Sequence, residues 1–318
     1  METGWTRKNL TLPVRVGARS LFEFNLDAAV SSRHFSQISS SESLSFPSAT
    51  LDSLGVGVAV IHSCPVESEL PRVTSMEGGI RYVPCHYPRY YTNTEGEFDT
   101  YFSDRFNSKS RSTLRRKVKK LAKHLGAEDG EIDLRSYSSA AEVREWYPIA
   151  RSVSELTYQE KLLKRGLPEE SEFLDEIVEK AEKGRFRGYL LFDGSKDKAI
   201  AFLACPISEG GAMIYDHVGH DPEYDKLSPG AVLLYKVLQD AFGDPSVRVF
   251  DFTEGEGDHK KRFATHESQC ADVFFFKKNA GNAAKIGAHA LVDGSLRSVS
   301  DLLERFDLKD RIKKIVAR

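Results

Sequence analysis

The stretch HDPEYDKLSPGAVLLYKVLQDAF, residues 220 to 242, constrains the fold most. A strand ends near His220, and the loop that follows closes on Ser228-Pro229-Gly230. Val232, Leu233, Leu234, Val237, Leu238 and Ala241 then recur at helical spacing. Proline suits the first turn of a helix, and Ser228 is a natural N-cap. Gly230 removes a side chain where a ligand could approach the backbone. The unpaired N–H groups and the positive end of the helix dipole would make an anion site there. A capped core helix with no ligand has the same local pattern, so the neighbouring segments matter.

Upstream, RFRGYLLFDG, KAIAFLACPI and AMIYDHVGH read as three consecutive strands joined by short turns. Downstream come a strand VRVFDF, the polar loop DFTEGEGDHKKRF (251–263) and a strand ADVFFFKK. Earlier, a helix is predicted from Ser108 to Leu125, ending at Gly126, with Leu114, Val118, Leu121 and Leu125 on one stripe. Its other faces carry Lys109, Arg111, Arg115, Arg116, Lys117, Lys119, Lys120 and Lys123. A strand IDLRSYS and helical stretches over about 139–165 and 171–183 follow. Residues 1 to 100 hold short apolar or alternating runs (LPVRV, SLFEFNL, GVGVAVIHS, GIRYVPCHY), interrupted at 31–48 by a serine cluster that reads as an exposed loop or flexible segment. The tail, 286–316, reads as an amphipathic helix. Helices, an antiparallel strand series and then β-α-β describe an α/β (α+β) domain whose sheet splits around the central helix.

Composition narrows the function classes. A formal net charge of −2 gives no general case for nucleic-acid or membrane binding. Cys64, Cys85, Cys205 and Cys270 are widely spaced, without a CxxC pair, which fits a reducing compartment. His217, His220, His259 and His266 complete no ligand set, so no metal is expected. The N-terminal METGWTRKNL lacks an apolar signal core, and no run suits a membrane span. A cytoplasmic protein is expected.

Taken in order, LTYQEKLLKRGLP, GYLLFDG, AIAFL, YDHVGHDPEYDKLSPGAVLL and FDFTEGEGDHKKRF resemble the GNAT superfamily of acyltransferases. More narrowly, they resemble the branch associated with cellulose and exopolysaccharide biosynthesis, related to the Fem-type peptidyltransferases. The resemblance covers roughly residues 105 to 275. It implies a GNAT-like mixed, mostly antiparallel sheet flanked by helices. It also implies a small β-rich, GNAT-like N-terminal half at 1–104, a catalytic domain at 105–280 and a helical extension at 281–318. The implied donor is acyl-coenzyme A or a similar carrier thioester, with coenzyme A lying in the sheet split and its pyrophosphate on Ser228, Pro229, Gly230 and Ala231. The Q/R-x-x-G-x-G/A phosphate signature is not present in that loop. Among Fem-type relatives the donor is an aminoacyl-tRNA, so tRNA is a partner under that alternative, while no DNA partner is expected.

The implied acceptor is an amine of a small metabolite or of a cell-envelope or exopolysaccharide precursor. The family pattern of D-F, Gly and a Tyr-Lys pair reads here as Asp251-Phe252, Gly255 and His259-Lys260, with histidine in place of tyrosine. Lys260 could stabilise an oxyanion, and His259 could take a proton from the amine. Asp216 and His217 are alternative bases, because alternation along a single strand puts Tyr215, His217 and Gly219 on one face and Asp216, Val218 and His220 on the other. Asp251 and Glu254 could hold a cationic acceptor, and Tyr158 would line the cleft. Arg115 and Arg116 could meet a phosphate of donor or acceptor. No Cys-His nucleophile is evident, which fits direct transfer. A non-catalytic ligand-binding module is the remaining alternative, and the sequence leaves the oligomeric state open.

Overall fold

The computed structural model describes residues 4–16, 19–39, 44–127, 131–157, 160 and 166–305. In chain order the elements are β1 (Trp5–Val16), β2 (Arg19–Ser31), α1 (Ser48–Ser53), β3 (Val58–Pro65), β4 (Val73–Met76), β5 (Gly79–Tyr82) and β6 (His86–Asn93). Next are α2 (Phe98–Arg105), α3 (Ser108–His124), β7 (Leu134–Tyr137), α4 (Ala140–Leu156), α5 (Ser171–Glu182), β8 (Phe186–Asp193) and β9 (Lys198–Pro206). The rest are β10 (Ala212–Ile214), β11 (His217–His220), α6 (Pro229–Gly243), β12 (Val249–Glu254), α7 (Asp258–Phe263), β13 (His266–Lys277) and α8 (Ala280–Arg305). The chain is a mixed α/β protein with mostly antiparallel strands flanked by helices, the fold class expected from sequence.

Two compact units result, one of residues 1–86 with 269–318 and one of residues 87–268. In the first, β1 and β2 form a long antiparallel hairpin and β2 runs parallel to β3. Strand β13 then pairs antiparallel with both β3 and β5, and β4 pairs with β5. Alternation along β13 sends Val273 and Phe275 to one face, packed with Leu51 of α1, and Phe274 and Phe276 to the other, packed with Ile286 of α8. The serine-rich segment read as an exposed loop departs from that expectation. His34, Phe35 and Ile38 are buried in it, and Phe35 opens a 3-10 turn capped by His34. The serines masked the apolar residues that anchor the segment.

The second unit carries β11-β9-β8-β7, antiparallel throughout, together with β6-β12-β10. Both faces of β8 and β9 are buried. Leu203 and Cys205 pack toward α3 and α6, while Phe202 and Ala204 pack toward α4 and α5. Strands covered on both faces read as continuous apolar runs, which is why KAIAFLAC shows no alternation. Helix α3 starts on Asn107, whose side chain accepts from the Ser110 N–H at 2.9 Å, and ends before Gly126, where φ is +74°. Helix α4 opens with a capping box between Ser139 and Glu142. Gly188 of β8 is required because a Cβ there would sit 2.7 Å from the buried Trp146 indole. The helical reading over 139–165 holds to Leu156; 158–159 and 161–165, including Tyr158, lie outside the described residues.

Candidate active site in the sheet split

The strand read as AMIYDHVGH is two strands that belong to different sheets. Strand β10 runs parallel to β12, with Ala212 opposite Val249 and Ile214 opposite Asp251. Tyr215 makes the last link, its N–H donating to the Asp251 carbonyl at 2.9 Å. The Asp216 N–H turns instead to the Ala204 carbonyl, and β11 continues along β9 from His217 opposite Ala204 to His220 opposite Ala201. Face alternation therefore does not run through Tyr215-Asp216, and β11 parts from the end of β12. Backbone amides and carbonyls there change partners over one residue, which a period-2 reading cannot detect.

A cavity of about 410 Å³ occupies this split. Tyr215, Gly219 and His220 line one side, Gly230 and Ala231 at the start of α6 the floor, and His259 and Arg262 of α7 the other side. Gly219 is packed tightly, since a Cβ would fall 2.6 Å from Phe202 and 2.7 Å from Thr157. At the head of α6, Ser228 occupies the N-cap position in the left-handed region, with φ +56°, and its hydroxyl makes no cap bond. Its carbonyl accepts from the Ala231 and Val232 N–H groups instead. The expected serine side-chain cap is therefore not made: Ser228 sits in the left-handed region rather than the extended one usual for an N-cap, and its carbonyl takes only the ordinary first bonds of the helix. A Cβ on Gly230 would meet nothing nearer than His220 Nδ1, at 3.6 Å, so this glycine keeps the floor of the cavity open. The other ring nitrogen of His220 lies 2.7 Å from Asp225 Oδ1.

The loop after β12 is built on a charged bracket. Asp251 is fully buried and paired with Arg89 of β6. Its Oδ1 also accepts from the Thr253 N–H at 2.9 Å. Thr253 lies at φ +66°, a rare conformation for a β-branched residue, and the β12–β6 register shifts at this point. Lys260 Nζ donates to Thr253 Oγ1 at 3.1 Å and to the Glu254 carbonyl. The far end of α7 is fixed by Tyr101, whose hydroxyl donates to the Phe263 carbonyl at 2.6 Å, and by Arg105 Nε, which donates to the Arg262 carbonyl at 3.1 Å. His259 is thereby held over the cavity, its ring centroid 6.0 Å from that of Tyr215.

Electrostatics follow from this packing. Desolvation, then the neighbouring Lys260 charge, holds the His259 imidazole below its ordinary pKa, against a weaker pull from Asp258. Desolvation also lowers Lys260, with Glu254 and Asp251 opposing the shift. A neutral His259 presents a lone pair near neutrality. Cys205 is fully buried and its thiol is pushed well up by desolvation, so it offers no thiolate.

The sequence candidates separate into groups. His259, Gly230 and Ala231 line the cavity. Ser228 and Pro229 form the turn that sets its floor. Asp216 and His217 sit where the strands part, their side chains 3.6 Å apart, and His217 packs edge-on to Phe173. Asp251 and Lys260 belong to the bracket behind α7, and the Glu254 carbonyl joins them. Arg115 and Arg116 line a separate concavity on α3. Sequence reasoning missed Arg89 and the cavity roles of Tyr215, His220 and Arg262. Arg89 sits in HYPRYY, which carries no motif, and its partner is 162 residues away. Among the described residues, no group of three or more His, Cys, Asp or Glu is placed to hold a metal ion, and no helix is long and apolar enough to cross a membrane.

Residues 108–261 match the family model described as acetyltransferase (GNAT) domain. This chain carries a GNAT-type acetyltransferase domain. The protein is an acyltransferase. Among solved structures, FemX aligns with a TM-score of 0.51 at 12% identity, covering 89% of this chain and 91% of that one. L-PGS from Bacillus licheniformis aligns at 0.46 and 13%, over 77% and 76% of the two chains. A conserved protein of unknown function from Bacteroides thetaiotaomicron aligns at 0.47 and 11%, over 72% and 73%. At such identities the FemX likeness shows the fold alone. No curated protein matches the sequence.

Proposed function

We propose that this acyltransferase moves an acyl group from acyl-coenzyme A directly to an amine, within the split between β11 and β12. The observation that carries the reading is the cavity itself, whose floor is the open start of α6 at Gly230-Ala231 and whose wall holds His259. The Gly230 N–H, which remains once Ala231 and Val232 donate to the Ser228 carbonyl, and the positive end of the helix dipole suit an oxygen of the donor's pyrophosphate. Gly230 leaves room for that group, and Arg262 adds a cation at the wall.

In the proposed reaction the amine nitrogen attacks the thioester carbonyl and the tetrahedral intermediate collapses with loss of the thiolate. His259, kept neutral by its surroundings, takes the proton released by the nitrogen. The thiolate leaves as coenzyme A thiol after protonation from solvent or from His259. Asp216 and His217, at the parting of the strands, are the alternative bases. Lys260 acts through the loop, by fixing Thr253 and hence α7. Burial of Cys205 supports direct transfer without an acyl-enzyme. The catalytic domain expected over residues 105–280 corresponds in this reading to the compact unit 87–268, which also supplies Arg89 and Tyr101, and cytoplasm is its setting. The acceptor class is a small metabolite or an envelope or exopolysaccharide precursor.

Thermal melting with acetyl-coenzyme A and longer acyl thioesters tests the donor. A rise in melting temperature that Gly230→Glu abolishes supports coenzyme A at α6. No rise with any thioester overturns it. A second reading, transfer from an aminoacyl-tRNA, is favoured by the base-rich helix α3. A steep fall in tRNA affinity with salt, roughly linear in log–log form, would support it.

A further inference from the structure

Helix α3 holds eight Lys and Arg and no Asp or Glu in its 17 residues, on a chain whose formal net charge is −2. Among the described residues, none of those eight bases takes part in an ion pair. Such a concentration of one sign without compensation costs folding stability through self-repulsion. The apolar stripe of the helix is already used, with Leu114, Leu121 and Leu125 buried in the core.

The outward face has a shape as well as a charge. Ser108, Arg111, Ser112, Arg115, Arg116 and Lys119 recur at helical spacing and line a concavity of about 430 Å³. Its lining shares no residue with the cavity in the sheet split. Two of its guanidinium groups are braced by the protein. Arg111 Nη1 donates to the Ser103 carbonyl at 2.8 Å and to the Phe106 carbonyl at 2.6 Å, and Arg115 lies over the Phe102 ring at 5.8 Å. Arg116 and Lys119 are exposed beside them.

We propose that this face of α3 is a second anion site of the protein, which binds the phosphate or diphosphate group of a small phosphate ester. Forked guanidinium donors match phosphate oxygens bidentately, and the two serine hydroxyls add donors at close range. No carboxylate lines the concavity to repel the anion. A bilayer surface fits less well, because a helix lying on a membrane needs a free apolar face and that of α3 is buried. The site does not depend on the donor being coenzyme A. Its phosphate could come from the acceptor or from the 3′-phosphate of the donor, which have the same chemistry at this surface.

Titration calorimetry of the full chain with inorganic pyrophosphate, in wild type and three variants, tests the proposal. Arg116→Gln with Lys119→Gln removes two cations from the concavity, and Lys109→Gln with Lys123→Gln removes two from the same helix outside it. Gly230→Glu disables only the start of α6. The expected result is binding that survives Gly230→Glu, falls about tenfold or more in the concavity variant and stays within about twofold in the helix control. Equal losses in the two α3 variants, loss in Gly230→Glu alone, or no binding in wild type would each overturn it. A preference for single-stranded RNA over pyrophosphate, with a steep salt dependence, would also overturn it in favour of a nucleic-acid surface. Comparing coenzyme A with 3′-dephospho-coenzyme A then names the source. A concavity-dependent preference for coenzyme A assigns the site to the donor's 3′-phosphate, and binding of both molecules that the concavity variant leaves unchanged assigns it to the acceptor.

Discussion

Arg89 grips Asp251 across antiparallel β6 and β12, its Nε 3.1 and 3.0 Å from the two carboxylate oxygens and its Nη2 2.5 Å from Oδ2. Desolvation works against the Arg89 charge, and the Asp251 charge and hydrogen bonds more than offset it, raising the guanidinium pKa. The pair spans the bulge that turns Thr253 into the left-handed region, so it sets the direction in which the chain leaves β12 for α7.

Arg89→Met should therefore cost about 3–5 kcal/mol in urea unfolding, since it strands a carboxylate on a fully buried aspartate. Asp251→Asn keeps the shape but turns an amide NH2 toward the Arg89 donors and leaves that guanidinium without its counter-charge, so it should cost a comparable amount. Equal small losses in both would mean that the pair is not the fastening of this loop.

Thr253→Asn should stabilise by about 1 kcal/mol, because asparagine tolerates the left-handed region and keeps an oxygen for Lys260. Thr253→Val, branched like threonine but without the oxygen, should destabilise. Melting temperatures of the two variants moving in the same direction would contradict the strain argument.

The lowered pKa of His259 gives a pH dependence with a definite sign. Between its folded value and the ordinary value of about 6.5, the unfolded chain binds the extra proton, so stability rises with pH across that window. The contribution of His259 is fully present above about pH 6.5 and is lost as pH falls through the folded pKa. His259→Gln should flatten that part of the stability profile. With a responsive amine and thioester, the acid limb of kcat/KM should also disappear in this variant. A limb that persists would move the base to Asp216 or His217.

Gly188→Ala should cost about 1–3 kcal/mol by driving a methyl group into the Trp146 indole. Trp146→Ala should cost about 3–5 kcal/mol by opening the core under α4. The double variant should fall short of the sum, because each change removes what the other meets. Full additivity in denaturant unfolding would show that the contact is not tight.

Cys205→Ala should lower stability by about 1 kcal/mol yet leave acyl transfer within about threefold of wild type, as direct transfer needs no thiolate. Loss of turnover in a folded Cys205→Ala protein would reopen a covalent route.

The helices and most strands around the split were legible in the order of residues alone. The Leu114–Leu125 stripe, its stop at Gly126 and the Pro229 helix start are local signals, written within a few residues by backbone geometry and side-chain period. The helix start also marked Gly230 as a neighbour of chemistry, and the resemblance to the family pattern marked His259. Tertiary structure alone decided which charged groups were available to that chemistry. Asp251 looked free to hold an acceptor until Arg89, distant in sequence, was folded against it. Lys260 was taken up by a strained Thr253 whose φ no composition reveals. The parting of β10 and β11 at Tyr215-Asp216 was invisible for the same reason, since a strand's partner is fixed by hydrogen bonds to residues far along the chain rather than by its own alternation.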